Sequence, residues 1–192
     1  MSPQADRDMS WYRLLLGWLE VGLRRTTADR LGLRSTPLKM VRFHDSPTAD
    51  HTTWTTYEFS DRRWRGPNVE VGYELAISLK GPVDGITALR RATEVLDGLA
   101  RPPQVGTVLV DLFQGVEGVS TALRHGVVVA PWLWPNMLPL EDRGRRVELM
   151  VIVPAGEDEI DRAADDGFAA LEDAWADPNV NLLDPQREPV AD

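Results

Sequence analysis

Three histidines, one glutamate set in an alternating apolar segment, and two clusters of charge are the residues of this 192-residue chain whose types could do chemistry. His44-Asp45 with His51 has the composition of a two-histidine, one-carboxylate metal site. The spacing matches no compact ligand pattern, however, and Ser46-Pro47 marks the segment as a surface loop, so no metal is expected. Glu74 could serve as a general acid or base if burial raised its pKa beside a cleft. A carboxylate on a strand more often pairs with an arginine or accepts backbone hydrogen bonds, and the expectation for Glu74 is a structural role. No Gly-x-Ser-x-Gly elbow, Walker A loop or Gly-x-Gly-x-x-Gly fingerprint is present, and Gly115-Val116-Glu117-Gly118 lacks the lysine of a phosphate cradle. With no cysteine there is neither a thiol nucleophile nor a disulfide. No catalytic constellation emerges, and no cofactor is expected.

The charge clusters point elsewhere. Between residues 156 and 192 there are 12 Asp/Glu against 2 Arg, while the rest of the chain is near neutral, so the net charge of −9 is concentrated at one end. Such a surface repels nucleic acid and favours a basic partner. Within it, Asp158, Asp161, Asp165 and Glu172 form one stripe of a helix whose opposite face is Ile160, Ala163, Ala164, Phe168, Leu171 and Trp175. Glu157, Asp158 and Glu159 fall on its first turn, where the helix dipole favours anions. Arg62, Arg63 and Arg65 around Trp64 read as a local ion-pair loop, and Trp132 and Trp134 as one strand face with at least one ring in the core. The candidate partner-binding residues are therefore Asp158, Asp161, Asp165 and Glu172, with Trp64 or Trp134 as an aromatic anchor.

The elements that must position these groups follow from periodicity. Residues 69–79 alternate strictly, with Val69, Val71, Tyr73, Leu75, Ile77 and Leu79 on one face, which predicts a strand with one side in the core. Shorter strands are expected at 40–43 and 53–59, the latter joined to the long strand by a charged loop as an antiparallel hairpin. Ser10 is placed to cap a helix carrying Trp11, Leu14, Leu15, Trp18 and Leu19, with Arg24 and Arg25 near its end and Gly32 closing it or its exit loop. A second helix follows Gly81-Pro82, with Ile86, Leu89, Ala92, Leu96 and Leu99 inward, stopped by Arg101-Pro102-Pro103. Residues 105–113 predict a strand buried on both faces, 127–134 a further apolar run, and 147–153 a strand ended by Pro154. The tail from Asp177 is expected to be partly extended. Residues 1–9 lack the basic and apolar regions of a signal peptide, and no apolar run approaches the roughly 20 residues that span a bilayer, so a cytoplasmic protein is expected.

Three segments in order resemble the Suppressor of fused (SUFU) domain family. Thr53-Trp54-Thr55-Thr56-Tyr57 leads to Gly72-Tyr73-Glu74-Leu75, similar to the family's Gly-aromatic-Glu-Leu strand. The helix ending Leu96-Asp97-Gly98-Leu99-Ala100-Arg101 is similar to the one that follows it, although Pro102-Pro103 cuts it where the family continues. The third segment is the strand at 147–153 with Pro154, Glu157, Glu159, Gly167, Leu171 and Asn181-Leu182-Leu183-Asp184-Pro185. The resemblance spans about residues 40–187, within one domain of 192 residues that has an N-terminal helical extension over 1–35. It implies an α+β fold, a mixed, mostly antiparallel sheet with helices packed against it. For a short bacterial member it also implies a non-enzymatic protein-binding domain, an immunity protein that neutralises a cognate, basic toxin domain by direct binding. The alternatives at this stage are a small-molecule hydrolase using Glu74 and a histidine, and an intracellular adaptor or regulator.

Overall fold

The computed structural model describes residues 3–23, 28–31, 39–65, 70–142 and 144–190. The strands are β1 (Ala28–Leu31), β2 (Met40–His44), β3 (His51–Thr56), β4 (Trp64–Arg65), β5 (Glu70–Lys80), β6 (Val108–Leu109), β7 (His125–Val129), β8 (Leu140–Asp142) and β9 (Arg145–Ala155). The helices are α1 (Pro3–Gly22), α2 (Gly85–Asp97), α3 (Glu157–Asp165) and α4 (Phe168–Trp175), with a 3-10 turn at Phe59–Asp61. The strands form one sheet in the order β1-β2-β3-β5-β9-β7-β6, with β4 beside the start of β5 and β8 beside the start of β9. Among the described strands only β5 and β9 pair in parallel, from Glu70↔Arg145 to Ala76↔Val151. The sheet is thus mixed and mostly antiparallel, as the α+β expectation has it.

Helices cover both faces of the sheet. On one side α1 contributes Trp11, Leu15, Leu16 and Leu19, joined by Leu23 just past its end, and α4 contributes Leu171 and Trp175, to a core with Phe43, Ala76, Val127, Leu149 and Val151. On the other, Leu89, Ala92 and Leu96 of α2 pack with Trp54, Leu75, Ile77, Leu79, Phe113 and Ile152. This double cover corrects the expectation of a half-exposed β5: from Gly72 to Leu79 every residue is buried, including Glu74 and Ser78. The small and hydroxyl-bearing residues of the second face are there to admit neighbouring chain, not water.

Other boundaries move for identifiable reasons. Helix α1 begins at Pro3, which is tolerated in a first turn, so Ser10 is an interior residue and not the cap; Arg24, Arg25 and Gly32 lie outside the described residues. The helical signal at 85–101 ends at Asp97 with Gly98 as cap, ahead of Arg101, and Asp84 caps its start by accepting the Thr87 N–H at 3.2 Å. The stretch 105–113 contains only two strand residues, because Gly106 and Asp111 adopt left-handed φ values of 87° and 55° that bend the chain out of the sheet. Strand β9 runs through Pro154 to Ala155. Beyond Val151 it has left the register with β5 and pairs only with β7, the kind of position where a residue without an N–H is accepted.

Candidate interaction surface

Glu74 is fully buried, and its carboxylate accepts from the Ser60 hydroxyl at 2.6 Å, the Ser60 N–H at 3.2 Å and the Thr56 hydroxyl. Thr56 Oγ1 in turn accepts the Leu75 N–H at 2.9 Å. The preceding Gly72 explains how the 3-10 turn approaches so closely: a Cβ there would stand 2.5 Å from the Ser60 carbonyl oxygen. Gly72 and Glu74 together therefore seat the Phe59–Asp61 turn on β5, while Tyr73 and Leu75 point to the opposite core. Burial raises the Glu74 carboxyl from an ordinary value near 4.5 to about 7, a rise that the hydrogen bonds from Ser60, Thr56 and Phe59 moderate. No histidine is among its hydrogen-bond partners.

The histidines lie apart from it. His44 ends β2 and His51 begins β3, where the His51 ring meets Thr48 Oγ1 at 3.0 Å and the Ala49 carbonyl at 2.9 Å. His125 is buried on β7, and its Nδ1 accepts the Asp111 N–H at 3.1 Å. The ring proton consequently sits on Nε2, which donates to Glu157 at 2.8 Å. Among the described residues no group of three His, Asp or Glu side chains could hold a metal ion.

The acidic segment divides differently from the sequence expectation. Gly167, at φ 89°, ends one helix and starts another, so the single amphipathic helix is two. Asp158, Asp161 and Asp165 are exposed along α3, and Glu172 is exposed on α4, with Glu157, Asp166 and Asp173 also at the surface. Glu159 is the exception. It turns inward, accepts the Gly156 N–H and the Trp175 indole N–H at 2.8 and 2.7 Å, and receives both terminal nitrogens of Arg187. Burial by itself would raise this carboxyl, but the Arg187 guanidinium, with Gly156 and Trp175, holds it below the usual carboxylate range. Sequence reading assigned Glu159 to the helix dipole and overlooked Arg187, because 28 residues separate the two and nothing in their local sequence links them.

The two proposed aromatic anchors are interior. Trp64 packs against Phe59 and Tyr73 at centroid distances of 6.1 and 5.5 Å, beneath Arg62 at 5.1 Å. Its neighbours Arg62 and Arg63 pair with Asp97 and Glu70 at 2.5 and 3.0 Å. Trp134 is buried in the core beneath α1, whereas Trp132 is exposed. Proline on either side of the 132–134 segment makes it a turn, so the two rings do not share a strand face.

A mixed sheet clad on both faces, with a buried glutamate clamping a turn to its central strand, makes this an α+β domain. The chain belongs to the Suppressor of fused protein (SUFU) family, whose model matches residues 34–188. No curated protein matches it. Among solved structures it is similar to one described as a SUFU homolog from Neisseria gonorrhoeae FA 1090, with TM-score 0.71 and 13% identity over 95% of this chain and 98% of that one. It is also similar to a chain of the Sufu–Fu complex, with TM-score 0.68 and 12% identity over 93% and 91%. Drosophila Suppressor of Fused gives TM-score 0.56 and 14% identity over 80% of this chain and 42% of that one. At these identities the likeness is one of fold.

Proposed function

We propose that this chain is a cytoplasmic, non-enzymatic binding domain that neutralises a cognate bacterial toxin by covering it, with the acidic surface of α3 and α4 as the contact. The observation that carries this reading is the partition of carboxylates. Asp158, Asp161, Asp165 and Glu172 are free of the core and face solvent, while Glu74 and Glu159 are sealed beneath it. A general acid or base must touch its substrate, and Glu74 has no exposed surface with which to do so. An exposed acidic face instead speeds and orients the approach of a basic protein. The family likeness adds support, since one similar structure is a complex of Sufu with another protein.

Purification from the source cells tests it. A basic effector should be recovered in stoichiometric complex, and adding this chain should block that effector's toxic activity. Undiminished toxicity at saturating chain would overturn the reading, and recovery of a non-toxic partner in its place would favour an adaptor.

A further inference from the structure

Helix α1 presents an outward face that its own chain leaves uncovered among the described residues. At about 100° per residue, Arg13, Leu14, Gly17, Glu20 and Val21 all fall on one side of the helix, opposite the buried Leu15, Leu19 and Leu23. Val21 is 79% exposed and Leu14 44%. Together with Gly17 and Trp18 they form one wall of an open groove of about 530 Å³, whose other wall is residues 136–140 with Leu138 at 74% exposure. Three large exposed apolar side chains thus converge on one surface of a chain that carries net charge −9. Neither Arg13 nor Glu20 has an ion-pair partner among the described residues.

The order of these residues is self-complementary. Arg13 and Glu20 lie on one edge of the face, Leu14 and Val21 on the other, and Gly17 sits midway. A twofold axis through the level of Gly17, perpendicular to two facing antiparallel helices, keeps each edge opposite its own copy. Arg13 of one chain then meets Glu20 of the other twice over, and Leu14 meets Val21 twice over. A Cβ at Gly17 would touch nothing within 4 Å in its own chain, so the glycine leaves room for the axes to approach to roughly 8 Å. We propose that α1 is the contact of a twofold-symmetric homodimer, packed antiparallel against α1 of a second copy, with Leu138 extending the apolar seam. The helix lies outside residues 34–188, the segment that the family model matches. It is independent of the toxin reading, and its test uses the isolated chain.

Sedimentation velocity from about 1 to about 100 µM should show the mass of two 21.5 kDa chains growing in with concentration. Arg13→Glu or Glu20→Arg alone turns two attractions into two repulsions and should raise the dissociation constant about tenfold. The double variant R13E/E20R should restore it. Gly17→Trp starts from a Cβ with open space around it and fills the approach, and should give a monomer whose circular dichroism melt is no lower than that of the wild type. A wild-type chain that stays monomeric throughout, single reversals without effect, or a double variant as weak as the singles would each overturn the dimer. A groove reserved for a different protein would appear as the first of these.

Discussion

The carboxylate of Glu159 at the start of α3 holds both terminal nitrogens of Arg187, at 2.7 and 3.0 Å, across 28 residues of chain. Arg187 Nη2 also donates to the Pro154 carbonyl at 2.8 Å, and Val190 N–H reaches Glu159 at 3.2 Å. This buried pair draws the 177–190 tail back over the end of β9. From there the tail is stitched further, Lys80 N–H to the Leu183 carbonyl and Ser120 N–H to the Pro185 carbonyl, both at 2.8 Å.

Removing one partner of that pair strands the other charge in the interior. Arg187→Ala should cost about 3–5 kcal/mol, read as a lower denaturant midpoint. Because the Glu159 carboxyl is held below its unfolded value of 4.5, its contribution is present above that pH and is lost as pH falls through the lower folded value. The variant should therefore lose the acid-side part of the wild-type stability profile. A profile parallel to wild type would show the pair to be energetically idle.

Glu74 has the opposite sign. Its folded pKa of about 7 lies above the unfolded 4.5, so between those values the folded chain retains a proton that the unfolded chain releases. Its contribution to stability is full below about 4.5, declines as pH rises and levels off above about 7, a loss on the order of 3 kcal/mol. Glu74→Gln cannot ionise, so the stability of the variant relative to wild type should improve by that order between pH 5 and pH 8. Equal pH slopes in the two proteins would refute the shift.

Gly72→Ala would drive a methyl to within 2.5 Å of the Ser60 carbonyl oxygen. The 3-10 turn must then lift from β5 and pull its Ser60 donors off Glu74. Destabilisation of about 1–3 kcal/mol is expected in thermal or denaturant unfolding, as for other overpacked sites. At Gly17, where the space is open, alanine should be harmless to the monomer.

If the acidic helices receive a basic partner, reversing Asp158, Asp161, Asp165 and Glu172 to lysine should slow association about tenfold or more at low salt, with little change in unfolding. The wild-type on-rate should fall steeply with ionic strength. An on-rate indifferent to both changes would remove this surface from the contact.

Periodic, locally encoded features were legible. The β5 and β9 strands, the inward face of α2 and the Gly72-Tyr73-Glu74-Leu75 motif all follow from side-chain spacing, and the motif's position led to the family. The short strand at 108–109, the helix break at Gly167 and the extension of β9 through Pro154 were not legible, because each depends on which neighbour the backbone meets. The exposed aspartates look the same in sequence as the buried Glu159. Likewise, nothing in the spacing of Trp64, Trp132 and Trp134 tells which ring the core takes.

By itself, then, the sequence determined the repertoire: an acidic, cysteine-free α+β chain of SUFU type, with no assembled catalytic signature and its negative charge gathered at one end. Tertiary structure alone decided the partition of its polar groups. Contacts between residues far apart in the chain set which carboxylates are sealed and which face solvent, and they left the outer side of α1 bare. Burial is a property of packing, and packing between distant segments leaves no period in the sequence.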